Sequence, residues 1–123
     1  MKKILVVDDE KEIRELTKER LIQNKYAVLT ALSGKEAIII AKNHQPDLIL
    51  LDIAMPEMDG YQACEELKQD KKTKDIPVLF LTGKDLDPKG LTERCNELSA
   101  HGHISKMSSL REMIEKIQEI IGI

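Results

Sequence analysis

Short apolar runs alternate along the chain with longer segments in which apolar residues recur every three or four positions. The runs are Ile4 to Val7, Ala27 to Ala31, Leu48 to Leu51, Val78 to Leu81 and, with the weakest apolar signal, His103 to Ser105. Their length predicts strands, and four of them are apolar on both faces, as parallel strands are when helices cover the sheet on each side. The intervening segments open with helix-start signals. Asp9 with Glu12 predicts the cap of the first helix, Ser33 with Glu36 and Ser109 with Glu112 fit a Ser-x-x-Glu capping box, and Asp59 with Gln62 opens the third helix. Asp87-Pro88 sets a capping residue before a proline, whose missing N–H is harmless at the first helical position. The last helix has the cleanest apolar face, Leu110, Met113, Ile114, Ile117 and Ile121. In the first helix Ile13, Leu16, Thr17 and Leu21 share a face, whereas Ile22 points away from it and is free for another contact.

Five strands alternating with five helices predict a (βα)5 domain of the α/β class, one parallel sheet with helices on both sides. Right-handed crossovers leave few arrangements, and for five strands they favour the flavodoxin-like, doubly wound order 2-1-3-4-5. The chain has 123 residues, which fits a single domain over 1–123, since domains run to roughly 100–200 residues. Its aromatics are Tyr26, Tyr61 and Phe80, so Ile and Leu fill the core and a stacking platform for single-stranded nucleic acid is lacking.

Charge narrows the function classes. With 19 Lys+Arg against 22 Asp+Glu the net charge is -3, and no basic cluster offers a footprint for phosphate backbones, so direct nucleic-acid binding is not expected. Cys64 and Cys95 have no metal-ligand spacing and read as reduced thiols of a cytoplasmic protein. The apolar run after Met1-Lys2-Lys3 is too short for a signal peptide or a spanning helix, so no membrane insertion is expected.

Ligands of an open parallel sheet bind beyond the carboxyl ends of its strands, where the strand order reverses. There the first strand runs into Val7-Asp8-Asp9, the third into Leu51-Asp52, the fourth into Leu81-Thr82 and the fifth into Lys106. Carboxylates crowded from neighbouring strands repel one another unless a cation joins them. A hard divalent ion answers that need, and Mg²⁺ takes one or two carboxylates plus waters and phosphate oxygens. With such an ion and Lys106 set against Asp8, Asp9 and Asp52 the formal charge is zero, so a dianionic phosphoryl group can enter. Phosphoryl transfer asks for an in-line nucleophile and for charge neutralisation on the oxygens, and carboxylates act as such nucleophiles. Asp52, the lone acid at the end of a central strand, is the candidate; the Asp8-Asp9 pair suits the ion, and Lys106 and the Thr82 hydroxyl suit the phosphoryl oxygens. Taken singly, each residue has a plain reading as helix cap, strand end or surface group. Their joint placement on one edge is what argues for chemistry.

The segments Ile4 to Glu10, Asp47 to Gly60 and Ile76 to Gly83, with Lys106 at its spacing, resemble the response-regulator receiver domain of two-component signalling, of the chemotaxis-response-regulator type. The resemblance spans about residues 2 to 121. It implies that Asp52 accepts a phosphoryl group from a phosphohistidine on a sensor histidine kinase or a histidine phosphotransfer protein. It implies that Asp8, Asp9, Asp52 and the backbone carbonyl of Ala54 bind Mg²⁺, that Thr82 is the switch hydroxyl and that Lys106 contacts the phosphoryl group. The fourth helix, fifth strand and fifth helix, about residues 91–98 and 103–118, would form the face that docks a downstream protein. Such a domain is a phosphoacceptor that assists its own phosphorylation and dephosphorylation, not an enzyme acting on a separate substrate. In similar domains first-helix surface residues, here Arg14, Thr17, Lys18 and Leu21, select the kinase.

Some positions depart from the family. Met107 stands where a cis proline usually follows the lysine, so this peptide bond is expected trans. His103 occupies the usual aromatic switch position, as either a rotating group or an exposed polar one with an ordinary pKa of about 6.5. Ser99-Ala100-His101-Gly102 replaces the usual Gly-Ala start of its loop, and Ala54 and Lys84 occupy positions that tune autodephosphorylation; a small residue at 54 cannot position water, which implies a long-lived phosphoryl group. A phosphatase resembling the haloacid-dehalogenase group would need an acid where Ala54 stands. A receiver fold that works as an interaction module without phosphorylation is the remaining alternative. A DNA-binding or catalytic effector would need roughly 60 further residues, so a stand-alone receiver whose output is a docking event is expected.

Overall fold

A computed structural model describes residues 1–83 and 87–122. The elements follow the chain as β1 (Lys3–Val7), α1 (Lys11–Gln23), β2 (Ala27–Ala31), α2 (Gly34–His44), β3 (Leu48–Asp52), α3 (Gly60–Gln69), β4 (Val78–Thr82), α4 (Pro88–Glu97), β5 (His103–Ser105) and α5 (Leu110–Ile121). The strands form one parallel sheet in the order β2-β1-β3-β4-β5. The order reverses between β1 and β3, where Ile4 lies opposite Leu48 and Val7 opposite Leu51, and that is where the carboxyl edge opens.

Period-two alternation divides the core. Leu5, Val7, Ile49, Leu51, Val78 and Phe80 face α2, α3 and α4 through Ala37, Ala41, Ala63, Cys64, Leu67, Leu91 and Cys95. Ile4, Val6, Leu48, Leu50, Leu79 and Leu81 face α1 and α5 through Leu21, Met113 and Ile117. Each fully buried Leu or Ile contributes about 1.5–3 kcal/mol, which is how a chain with so few rings holds together. Cys64 and Cys95 are free thiols buried in this core. None of the described helices is long and apolar enough to cross a membrane.

The expected caps form at four helices. Ser33 Oγ accepts from the Glu36 N–H, Ser109 Oγ from Glu112, and Asp87 from Lys89 and Gly90. Asp59 and Gln62 complete a reciprocal capping box at α3. The first helix differs: its N-cap is Glu10, not Asp9, and it makes no capping bond; the Glu10 carboxylate lies 3.1 Å from Lys106. Leu16 also departs from its expected face and is half exposed, as is Ile22. Thr17 and Leu21 are buried against the sheet, so a partner cannot read them; Arg14 and Lys18 keep partial exposure. The weak fifth strand does form. Ser99 and Gly102 take positive φ (58° and 135°) to turn the chain, and the Gly102 carbonyl accepts the Phe80 N–H at 3.0 Å. Lys84 lies outside the described residues.

Candidate active site

The ends of β1, β3, β4 and β5 bring the expected residues to one edge. Asp8 follows β1, its N–H continuing the ladder to the Ala31 carbonyl at 3.1 Å, and its side chain is fully buried. Its Oδ1 accepts the Glu10 N–H at 3.0 Å, and its backbone carbonyl accepts from Arg14 Nη1 at 2.8 Å. Asp52 ends β3 and is 2% exposed. Asp9 and Glu10 are exposed at the rim, and the carboxylate oxygens of Asp8, Asp9 and Glu10 lie within 4.8 Å of one another. Ala54 sits exposed in the loop after β3.

Gly60 explains how Asp52 is held. A Cβ there would run into the backbone of Asp52 and Ile53, so the start of α3 packs directly on the end of β3, and the Gly60 N–H donates to the Ile53 carbonyl at 2.8 Å.

Lys106 reaches across from β5. Its N–H donates to the Thr82 carbonyl at 2.9 Å, and its Nζ lies 3.2 Å from Asp8 Oδ1, 3.1 Å from Asp52 Oδ2 and 3.1 Å from Glu10 Oε1. The bonds to Asp8 Oδ1 and Glu10 are directed hydrogen bonds. Asp8 Oδ2 and Asp52 Oδ2, each 3.1 Å from the ammonium, are buried ion-pair contacts without a hydrogen-bond donor aimed at them. The Asp52 carboxyl is pushed up to about 7, first by burial and then by the Asp8 charge, with Lys106 pulling the other way. Burial works against the Lys106 charge, yet the hydrogen bond to Asp8 and the attraction of the Asp8 and Asp52 carboxylates outweigh it and its pKa moves upward.

Thr82 ends β4 and is buried, and its hydroxyl donates to the Ile104 carbonyl at 3.4 Å, toward β5. Beside it an open hollow of about 430 Å³ lies between Thr82, Leu91, His103, Ser105 and Glu112. His103 is half-buried in β5. No peptide bond among the described residues is cis, so Lys106–Met107 is trans, and Met107 is exposed with its N–H on Ser105 Oγ at 3.0 Å. Glu10 was missed in the sequence as a member of the cluster. Its position directly after the acidic pair was the available signal, and it adds one negative charge to the formal sum.

A doubly wound parallel α/β sheet thus carries buried carboxylates and a lysine together at its switch point. The family model of the response regulator receiver domain matches residues 4–118, and the chain belongs to that family. The transcriptional regulator ycf27 of Cyanidium caldarium is 41% identical over 121 residues, covering 96% of this chain and 45% of the relative. The alkaline phosphatase synthesis transcriptional regulatory protein PhoP of Bacillus subtilis is 39% identical over 120 residues, covering 98% and 48%. The chain thus spans about half the length of these curated relatives. Among solved structures, the Vibrio cholerae chemotaxis protein CheY4 superposes with a TM-score of 0.90 at 28% identity over 98% of both chains. The receiver domain of the Pseudomonas aeruginosa sensor histidine kinase PA1611, solved with a magnesium ion in its active-site cleft, gives 0.87 at 26% identity over 99% of this chain and 98% of that one.

Proposed function

We propose that this receiver domain accepts a phosphoryl group on Asp52 from a histidine kinase or a histidine phosphotransfer protein and reports it by docking a protein partner in the cytoplasm. The observation that carries this reading is the pair of buried carboxylate oxygens, Asp8 Oδ2 and Asp52 Oδ2, that face the cleft with no hydrogen-bond donor aimed at them. Two buried carboxylates share the one Lys106 ammonium, 3.1 Å from each of these oxygens, and a second cation would offset the charge that it leaves unanswered.

The donor set fits Mg²⁺, which prefers carboxylate oxygens and retains waters. Asp8, Asp9, Asp52 and the Ala54 carbonyl would hold it, and it would supply positive charge to the phosphoryl oxygens. The residues of the chain do the rest. An Asp52 oxygen attacks phosphorus as the P–N bond of the phosphohistidine breaks; the electron pair leaves on nitrogen, which takes up a proton, and an acyl phosphate remains. Lys106 can pair with one phosphoryl oxygen. The Thr82 hydroxyl, now engaged with the Ile104 carbonyl through a long 3.4 Å bond, loses little by turning toward another oxygen. Such a turn would disturb the hollow beside α4, β5 and α5, the face proposed to meet the partner. The domain is read as a phosphoacceptor that assists its own turnover, with a long-lived phosphoryl group because the Ala54 methyl cannot hold a water.

The test is incubation with Mg²⁺ and phosphoramidate or acetyl phosphate, followed by intact mass. One added phosphoryl group that disappears in Asp52→Asn is expected. A wild-type protein that stays unmodified would instead favour a phosphorylation-independent interaction module.

A further inference from the structure

Lys106 is committed to more partners than phosphoryl capture needs. Two of its contacts are directed hydrogen bonds, one inward to Asp8 Oδ1 and one outward to Glu10 Oε1. The inward groups are buried, whereas Glu10 is 60% exposed and sits at the mouth of the cleft. The Glu10 carboxylate has no capping duty at α1, although it occupies the N-cap. It therefore spends its charge on the one ammonium that the cleft contains among the described residues.

We propose that Glu10 is a positioning residue, a carboxylate latch that holds Lys106 toward the rim and slows phosphoryl acceptance until the lysine lets go. This rests on the reading of Asp52 as phosphoacceptor. An entering phosphoryl group arrives at Asp52, 3.1 Å from the Lys106 nitrogen, and needs a lysine donor directed inward. The third N–H of the ammonium is free to serve it, but the bond to Glu10 holds the nitrogen toward the rim, and that bond is lost as the nitrogen moves inward. Because Glu10 is exposed, the restraint is modest, and its removal should speed acceptance by about two- to fivefold, as suits a water-accessible ion pair.

The contact can be separated from the charge. Glu10→Asp keeps the negative charge at the rim but withdraws the carboxylate by one methylene, while Glu10→Gln removes the charge and keeps an oxygen acceptor. The experiment measures the rate of phosphoryl incorporation from phosphoramidate at saturating Mg²⁺ for wild type, Glu10→Asp, Glu10→Gln and Glu10→Ala, and Mg²⁺ affinity by calorimetry without donor. The latch predicts that Glu10→Asp accelerates about two- to fivefold with Mg²⁺ affinity close to that of wild type, and that Glu10→Ala accelerates at least as much. A Glu10→Asp rate equal to wild type, with only the charge-removing variants faster, overturns the latch in favour of a general field effect. Failure of the wild type itself to take a phosphoryl group is a different result, and it overturns the Asp52 reading and the latch together.

Discussion

The two sides of the cleft are built differently. The side that carries the acids is the centre of the sheet: β3 is buried along its whole length and paired by β1 and β4, and α3 is locked to its end by Gly60 and by a complete capping box. The side that carries Lys106 is an edge. β5 has three residues, pairs among the described residues with β4 alone, and buries Ile104 while His103 and Ser105 stay half exposed. Above it α4 reaches the core through Leu91 and Cys95. Carboxylates that repel one another must be held by a rigid frame, or they would move apart and the acidic cluster would be lost. The Thr82 hydroxyl and the Lys106 ammonium, the groups proposed to answer a phosphoryl charge, stand where the packing is thin enough to let them move.

The largest expected effect tests that division through packing alone. Leu50→Ala, in the middle of β3 and fully buried, should cost about 3–5 kcal/mol of unfolding free energy, whereas Ile104→Ala in β5 should cost about 2 kcal/mol. Urea unfolding of the two variants measures the difference. Equal losses would mean that the edge is packed as firmly as the centre, and the comparison would collapse.

The second effect comes from the charge that the rigid side holds. Asp52 has its carboxyl raised from 3.8 to about 7. A raised folded pKa means that the charged form is disfavoured by folding, so the protein is free of the penalty below about pH 4, loses stability as pH rises toward 7, and carries the full penalty above it. At about 1.4 kcal/mol per unit the whole shift corresponds to about 4 kcal/mol, an upper bound, since the cleft is open to water on one side. In metal-free buffer at pH 8, Asp52→Asn should therefore be more stable than wild type by about 2 kcal/mol, with the gap closing toward pH 4. Urea midpoints across that range, with and without Mg²⁺, read it directly. A gap that widens as pH falls would reverse the sign and sink the account; Mg²⁺ should narrow the gap at pH 8 by stabilising wild type more than the variant, which has one carboxylate fewer.

The difference between the two sides also marks what the sequence reveals. Runs such as Leu48 to Leu51 announce buried strands because nothing else keeps four apolar residues consecutive between turn signals, and the strand order follows from handedness. Asp8, Asp52, Thr82 and Lys106 are legible for the same reason, each standing where a strand stops. Glu10 and Leu16 are not, because their roles depend on where α1 points once it leaves β1. Helical periodicity leaves Leu16 on the core face, but the start of α1 leaves it half exposed. A local capping rule assigns Glu12 a partner in Asp9, yet it cannot see an ammonium that arrives 96 residues later in the chain to take Glu10. The helix starts at Lys11, one residue past the start that an Asp9 cap requires, and forgoes a local preference worth about 1 kcal/mol.

The smallest effect lies on the joint between the two sides. Arg94 of α4 stacks 4.6 Å above the ring of Tyr61 in α3, and that ring meets Phe80 of β4 edge-on at 5.3 Å. Arg94 also pairs with Glu97 at 3.1 Å, an exposed contact that adds little. The stack ties the loosely held helix to the rigid centre, two residues before Thr82. Arg94→Met keeps most of the aliphatic stem over the ring and removes the charge, so it should cost about 0.5–1 kcal/mol. A double-mutant cycle with Tyr61→Leu isolates the stacking part: the coupling should account for most of the Arg94→Met loss. A coupling near zero would show that α4 is held by Leu91 and Cys95 alone, and the thin side would then be freer than the contacts suggest.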